Sequence, residues 1–349
     1  MLALMRLMIG QCRLLGGALM LWGLALPACQ PRREAAEASE PPPVGHYEGS
    51  IALAGQPELR AALDIRHPSP GHYEAELTVP TAGTLSFVAD TMVFSNNQLR
   101  LVRPARPDQT LILTLDGDFW RGSLGLDSTK AAAILVKRGV PTPSAYRVGQ
   151  VPQPTGAAWL FAPSDAGTPG AALVLLPDSE TKMAAALWAD ALARQGIIVL
   201  VLQAADSATA ATETPRLQAA LRLLRGTAGA DTTNVGAWAA GARAAVLAQV
   251  LATVGGPRAA FVIAQNAVVD AAGRTALREL RRRKLPVLGL YGGTASPRAA
   301  AMRNALGGRR GATVRTYRTA GADLLVPGGL NPHFGPGLPG DVVTWLRER

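Results

Sequence analysis

Beyond residue 29 the chain contains no cysteine, its two being Cys12 and Cys29. That excludes a disulfide framework, and any cysteine-ligated zinc site, from everything that follows. Lysine is almost as scarce, confined to Lys130, Lys137, Lys182 and Lys284. Histidine occurs only at His46, His67, His72 and His333. The first three are too far apart in sequence to gather a metal ion and read as strand or turn residues. No metal site is therefore expected. The paired glycines Gly292 and Gly293 lack the Gly-x-x-x-x-Gly-Lys spacing of a phosphate loop and read as a turn, so no cofactor is expected either.

The 349 residues suffice for two domains, and a 48% hydrophobic content supports a sizeable core. Net charge is +10, carried mostly by scattered arginines. The one basic run, Arg281-Arg282-Arg283-Lys284, sits at a predicted helix C-terminus, where cations meet the negative end of the dipole. A solvated helix end follows, and no nucleic-acid partner.

Residues 1–28 place Arg6 and Arg13 ahead of an apolar run from Leu14 to Ala28. At about 15 residues the run is short for a membrane span of about 20 and has the layout of a secretory signal. Its removal leaves 33 basic against 25 acidic residues. Leu26-Pro27-Ala28-Cys29 resembles a bacterial lipobox, which implies that Cys29 becomes an acylated N-terminus. Gln30, where an aspartate would imply retention in the inner membrane, implies the periplasmic side of the outer membrane. Residues 30–44 are polar, charged and proline-rich, unable to bury a core, and read as a disordered tether.

From 45 to 140 the pattern alternates with period two. Leu59, Ala61, Leu63 and Ile65 share one face, as do Tyr73, Ala75, Leu77 and Val79 after the turn Pro68-Ser69-Pro70-Gly71. Leu111, Leu113 and Leu115 repeat it before Asp116-Gly117. The pattern predicts a small antiparallel β-domain, a curved sheet or open barrel. From 150 to 349 strands and helices alternate. Continuous apolar runs at Ala171–Leu176 and Ile197–Leu202 suit parallel strands buried on both faces. Between them Met183, Leu187 and Ala191 mark a helix face. Thr214 reads as a helix cap with Pro215 in the first turn and Leu217, Leu221 and Leu224 inward. The series predicts an α/β domain, a mostly parallel sheet with helices on both faces.

One stretch organises this half. Asn234 to Ala245 reads as a strand ending near Trp238, a tight join of small residues, and a helix through Ala244, Leu247 and Leu251. With VLGLYGG in a later strand and the closing VVTWL helix, it resembles the α/β-hydrolase superfamily, most of all its dienelactone-hydrolase and bacterial-esterase branch. The resemblance implies a nucleophile at a G-x-S-x-G elbow, an acid after the strand ending at Tyr291, and a histidine after the strand ending at Tyr317. Here the nucleophile slot is Gly241, between Ala239 and Arg243. The acid slot falls at Ala295, and the histidine slot at Asp323 or Leu324. The oxyanion loop reads Pro177-Asp178-Ser179-Glu180, and carboxylates there oppose a developing oxyanion. The degenerate triad implies a protein that binds or scaffolds, toward an unknown small-molecule or protein ligand, with the membrane as partner through its lipid anchor. The alternative is an ester hydrolase using Ser179 or Ser207 with His333.

Overall fold

A computed structural model of the chain describes residues 40–126, 129–293, 296–307, 312–328 and 331–349. The expected signal segment, Cys29, most of the tether and the acid slot Ala295 lie outside them. The described residues belong to one compact unit.

The first nine strands are β1 (Gly45–Ala52), β2 (Leu59–Ser69), β3 (His72–Thr78), β4 (Phe87–Ala89), β5 (Met92–Ser95), β6 (Gln98–Arg103), β7 (Arg106–Asp116), β8 (Phe119–Leu126) and β9 (Thr129–Gly139). They form one antiparallel sheet in the order β4-β3-β2-β1-β9-β8-β7-β6-β5. The expected small β-layer is thus a large, nine-stranded one. Hairpin turns at Gly71 and Gly117 carry φ of +74° and +60°, the left-handed region that glycine enters freely. The alternation does its predicted work: Ala61, Leu63, Ile65, Leu77, Leu111 and Leu113 face a core closed by Tyr47, Phe94 and Trp120. Tyr47 and Phe94 each meet the Trp120 ring edge-on at 5.9 Å.

The second sheet is mixed. It holds β10 (Tyr146–Gln153), β11 (Gly156–Pro163), β12 (Gly170–Leu176), β13 (Ile198–Val201), β14 (Ala230–Ala240), β15 (Val262–Gln265), β16 (Val287–Gly292) and β17 (Ala312–Tyr317), in the order β10-β11-β13-β12-β14-β15-β16-β17. The last six in that order are parallel, while β10 pairs antiparallel with β11, and β11 with β13. The sequence reading foresaw the α/β class and the parallel strands, but not the antiparallel pair β10 and β11.

Helices α1 (Lys182–Ala193), α2 (Ala210–Arg225), α3 (Gly241–Ala252), α4 (Ala271–Arg282), α5 (Ser296–Ala305) and α6 (Gly340–Arg347) follow the strands, and a short hairpin, β18 (Leu325–Val326) with β19 (His333–Phe334), precedes α6. Two helix expectations need correction. In α1 the residues from Ala184 to Asp190 are all buried, while Met183 and Ala191 are among its more exposed ones. The helix packs on β11 and β13 on one side and reaches the nine-stranded sheet on the other. A single apolar stripe therefore does not describe it, and alanine lets both layers approach closely. In α2 the cap is Thr209, not Thr214: its side chain accepts from the Thr212 amide, and Thr212 answers with a bond from the Thr209 amide. Thr214 instead donates to the Ala210 carbonyl at 2.7 Å, and Pro215 sits inside the helix.

The layers are joined by buried polar contacts. Arg103 pairs with Asp190 of α1, which also accepts from the Tyr146 hydroxyl. Burial raises the Asp190 carboxyl pKa, with Arg103 opposing, and burial drives Tyr146 well above its ordinary value. Arg194 donates to Glu76 at 2.7 Å, and Glu76 accepts from Arg66 at 2.8 Å. Asp64 accepts from the Thr142 amide and hydroxyl, both at 2.9 Å, and from His46 at 2.9 Å.

Burial disfavours the charged His46 ring, but hydrogen bonds to Asp64 and Glu48 outweigh it and hold its pKa above 6.5. A raised folded-state pKa contributes stability that is complete below the unfolded value and fades as pH rises through the folded one. His46→Gln should therefore lose most stability relative to the parent at about pH 5 and least at about pH 8. Urea unfolding at the two pH values checks this; a difference independent of pH would refute it.

Candidate functional site

The carboxyl ends of the parallel strands converge on the join between β14 and α3. Ala240 is extended, at φ −107° and ψ 154°, and Gly241 begins the helix at φ +56°. The strand thus turns into the helix at a left-handed residue, a conformation that glycine enters freely. Gly241 projects no side chain. A Cβ built on it would run into the Asp178 carboxylate. Asp178 is pinned by Thr181: its amide donates to the threonine hydroxyl at 3.2 Å, and its Oδ1 accepts from the Thr181 amide at 2.9 Å and hydroxyl at 2.7 Å. One carboxylate oxygen therefore fills the space that an elbow side chain needs. Glu180, the second acid of this loop, is exposed.

Arg243, in place of the second elbow glycine, is buried. Its guanidinium donates to Glu213 on α2 at 3.0–3.2 Å, to the Pro177 carbonyl at 2.8 Å and to the Gln203 carbonyl at 3.0 Å. It thus ties the ends of β12 and β13 to α2 across the top of the sheet. Burial lowers its pKa, with Glu213 opposing. Glu213 is buried too and takes a second partner, Arg216, at 2.9 Å.

At the end of β15 two side-chain amides meet the loop that follows β17. Trp238 donates to Gln265 at 2.9 Å, and Gln265 donates to the Ala322 carbonyl at 2.8 Å. Asn266, at φ +45°, donates to the same carbonyl and accepts the Gly292 amide at 3.1 Å. Gly292 needs its lack of a Cβ here, because the Gly321 carbonyl occupies that position. The Asp323 carboxylate accepts the Leu325 amide at 3.0 Å, and its carbonyl accepts the Trp188 indole at 3.3 Å. Leu324 is buried at φ +68°. These groups lock the loop after β17 onto β15 and β16, and none of the side chains in the lattice is an imidazole.

No protein-family model matches the chain, and no curated protein sequence does. Similar solved structures include a candidate dienelactone hydrolase from Klebsiella pneumoniae subsp. pneumoniae, 15% identical over 59% of this chain and 100% of that one, with a TM-score of 0.44. A hypothetical protein from Pseudomonas aeruginosa is 12% identical over 60% of this chain and 95% of its own, with a TM-score of 0.41. A candidate dipeptidyl aminopeptidase IV from Bacteroides ovatus is 11% identical, with a TM-score of 0.43, over 83% of this chain and 48% of its own.

The alternative nucleophiles and base are not assembled. Ser179 and Ser207 are exposed; the Ser179 amide donates to Asp206 at 2.8 Å. His333 is exposed on β19 and lines a cavity of about 670 Å³ between α1 and the nine-stranded sheet, beside Thr84, Asp190, Arg194 and Asn331. Neither serine lines that cavity, and among the described residues no hydrogen bond joins His333 to either. Among the described residues no group of three or more metal-ligating side chains occurs.

Proposed function

We propose that this chain is an α/β-hydrolase-fold protein without hydrolase chemistry, anchored by lipid in the bacterial envelope and acting by binding or scaffolding. The strand order of the mixed sheet and the left-handed elbow residue support the fold assignment. The observation that carries the loss of chemistry is the Gly241 position itself: the elbow lacks a nucleophilic atom, and the Asp178 carboxylate stands where one would be. A serine hydroxyl elsewhere remains a weak nucleophile without a well-matched base beside it, and His333 lines a cavity that neither Ser179 nor Ser207 lines.

The purified protein should resist a fluorophosphonate probe and leave a panel of p-nitrophenyl esters untouched. Stoichiometric labelling that Ser179→Ala or Ser207→Ala abolishes would overturn this reading in favour of an ester hydrolase built on non-standard residues.

The anchor rests on the apolar run ending in Leu26-Pro27-Ala28-Cys29. Cys29→Ser should move the protein from the membrane to the soluble fraction of a bacterial host. Unchanged membrane retention would exclude acylation at this cysteine.

A further inference from the structure

The outer face of β5 to β9 carries an unusual load of exposed apolar side chains. Val93, Ile112, Phe119 and Ile134 are 51%, 38%, 40% and 46% exposed, half of the eight large apolar side chains that stand exposed among the described residues. Strand register gathers them. Val93 lies opposite Arg100, Arg100 opposite Ile112, and Ile112 opposite Ser123. One row along, Thr114 lies opposite Arg121, and Arg121 opposite Ile134. Phe119 pairs with Asp116 and Val136 in the row beyond, and the Arg121 guanidinium lies over its ring at 5.1 Å. Apolar side chains and arginines therefore alternate across neighbouring strands. Lys130 extends the cationic side opposite Gly125, whereas Asp116, 3.7 Å from Arg121, and Glu48 bring negative charge to the turn end.

A protein partner would cover such a face with apolar surface. A phospholipid surface offers both chemistries at once: acyl boundary for the aliphatic and phenyl groups, phosphates for the guanidinium and ammonium groups. The chain outside the described residues decides between them. The Glu40 amide donates to the Phe94 carbonyl on β5 at 3.1 Å, so the tether leaves from the edge of this face. The roughly 11 residues from Cys29 to Glu40 reach at most about 40 Å. A lipid on Cys29 thus keeps the bilayer within one protein diameter of Val93.

We infer that the outer face of β5 to β9 docks on the phospholipid surface in which the chain is anchored. This rests on the anchored reading above. The test uses full-length acylated protein reconstituted into vesicles of phosphatidylethanolamine and phosphatidylglycerol containing nitroxide-labelled lipid. Ile112→Cys, Ile134→Cys and, as a control, Val254→Cys, at a position 91% exposed beyond α3, each carry a fluorophore. Quenching at 112 and 134 should exceed that at 254 by about twofold or more. Adding Arg100→Glu and Lys130→Glu should remove about half of it, since each cation near the surface contributes to attraction for anionic lipid. Protein that floats with vesicles but is quenched equally at all three positions overturns the docking and leaves the anchor intact. Failure to float overturns the anchor and the docking together. Shielding of positions 112 and 134 in detergent, without vesicles, assigns the face to a second copy or another protein and overturns the lipid assignment.

Discussion

Arg243→Met is expected to lower folding stability by about 3–5 kcal/mol, the usual result of removing one partner from a buried ion pair. The loss has three sources. Glu213, 2% exposed, keeps only Arg216 as a counter-charge. The Pro177 and Gln203 carbonyls lose their donor at the ends of β12 and β13. The loop carrying Asp178 loses its tie to α3. Methionine matches the aliphatic stem, so the experiment removes charge and hydrogen bonds more than volume. Glu213→Leu in the same chain should recover a large part of the loss, because an apolar pair of similar volume avoids the desolvation of both charges. Urea unfolding of the single and double variants measures both; a loss under about 1 kcal/mol for Arg243→Met would show that the pair is hydrated and not part of the core.

Gly241→Ser is expected to fold but to be weaker for two reasons. A non-glycine residue at φ +56° is strained, and strain of this kind costs about 1–3 kcal/mol. The new Cβ must also push Asp178 out of its turn with Thr181. Asp178→Ala should relieve that second part, so the double variant should be more stable than the two single losses added together predict. The serine should not turn over esters. The group it meets is the Asp178 carboxylate, a far weaker base than an imidazole and already bonded to Thr181, and a hydroxyl without a well-matched base attacks poorly. Steady p-nitrophenyl ester hydrolysis by Gly241→Ser, abolished by adding His333→Ala, would show that a base reaches the elbow after all.

Much of this fold is legible in the sequence. The solid apolar runs around Leu173 and Val199 announce parallel strands buried on both sides, and the small residues from Ala239 to Ala242 announce a tight join between strand and helix. Gly241 lands on a positive φ because the strand-to-helix turn demands it. The rest was hidden for definite reasons. Strands β10 and β11 mix polar and apolar positions, since one edge of the mixed sheet is open, so they lack the signature of their parallel neighbours. The Arg243–Glu213 pair spans 30 residues without any local pattern. Gln265 and Asn266 are ordinary amides until the Ala322 carbonyl comes to meet them, and a backbone partner leaves no trace in residue identity. His333, the one histidine beyond residue 150, drew attention by rarity, yet its loop turns it toward the antiparallel layer.

The contacts between Glu76, Arg66 and Arg194 have a consequence for how the chain is made. Synthesis delivers the N-terminal end first, so all nine antiparallel strands, complete at Gly139, precede α1, which begins at Lys182. Until Arg194 arrives at the end of α1, the polar face of β2 and β3 presents Arg66, Glu74 and Glu76 to water, not a sheet of aliphatic carbon. A half-made molecule with a charged, hydrated flank has little to offer another half-made molecule, and early exposure of apolar surface is what commonly leads nascent chains to aggregate. The dehydration of those carboxylates is thus postponed to the last step of assembly, when Arg194 arrives with the helix to meet them.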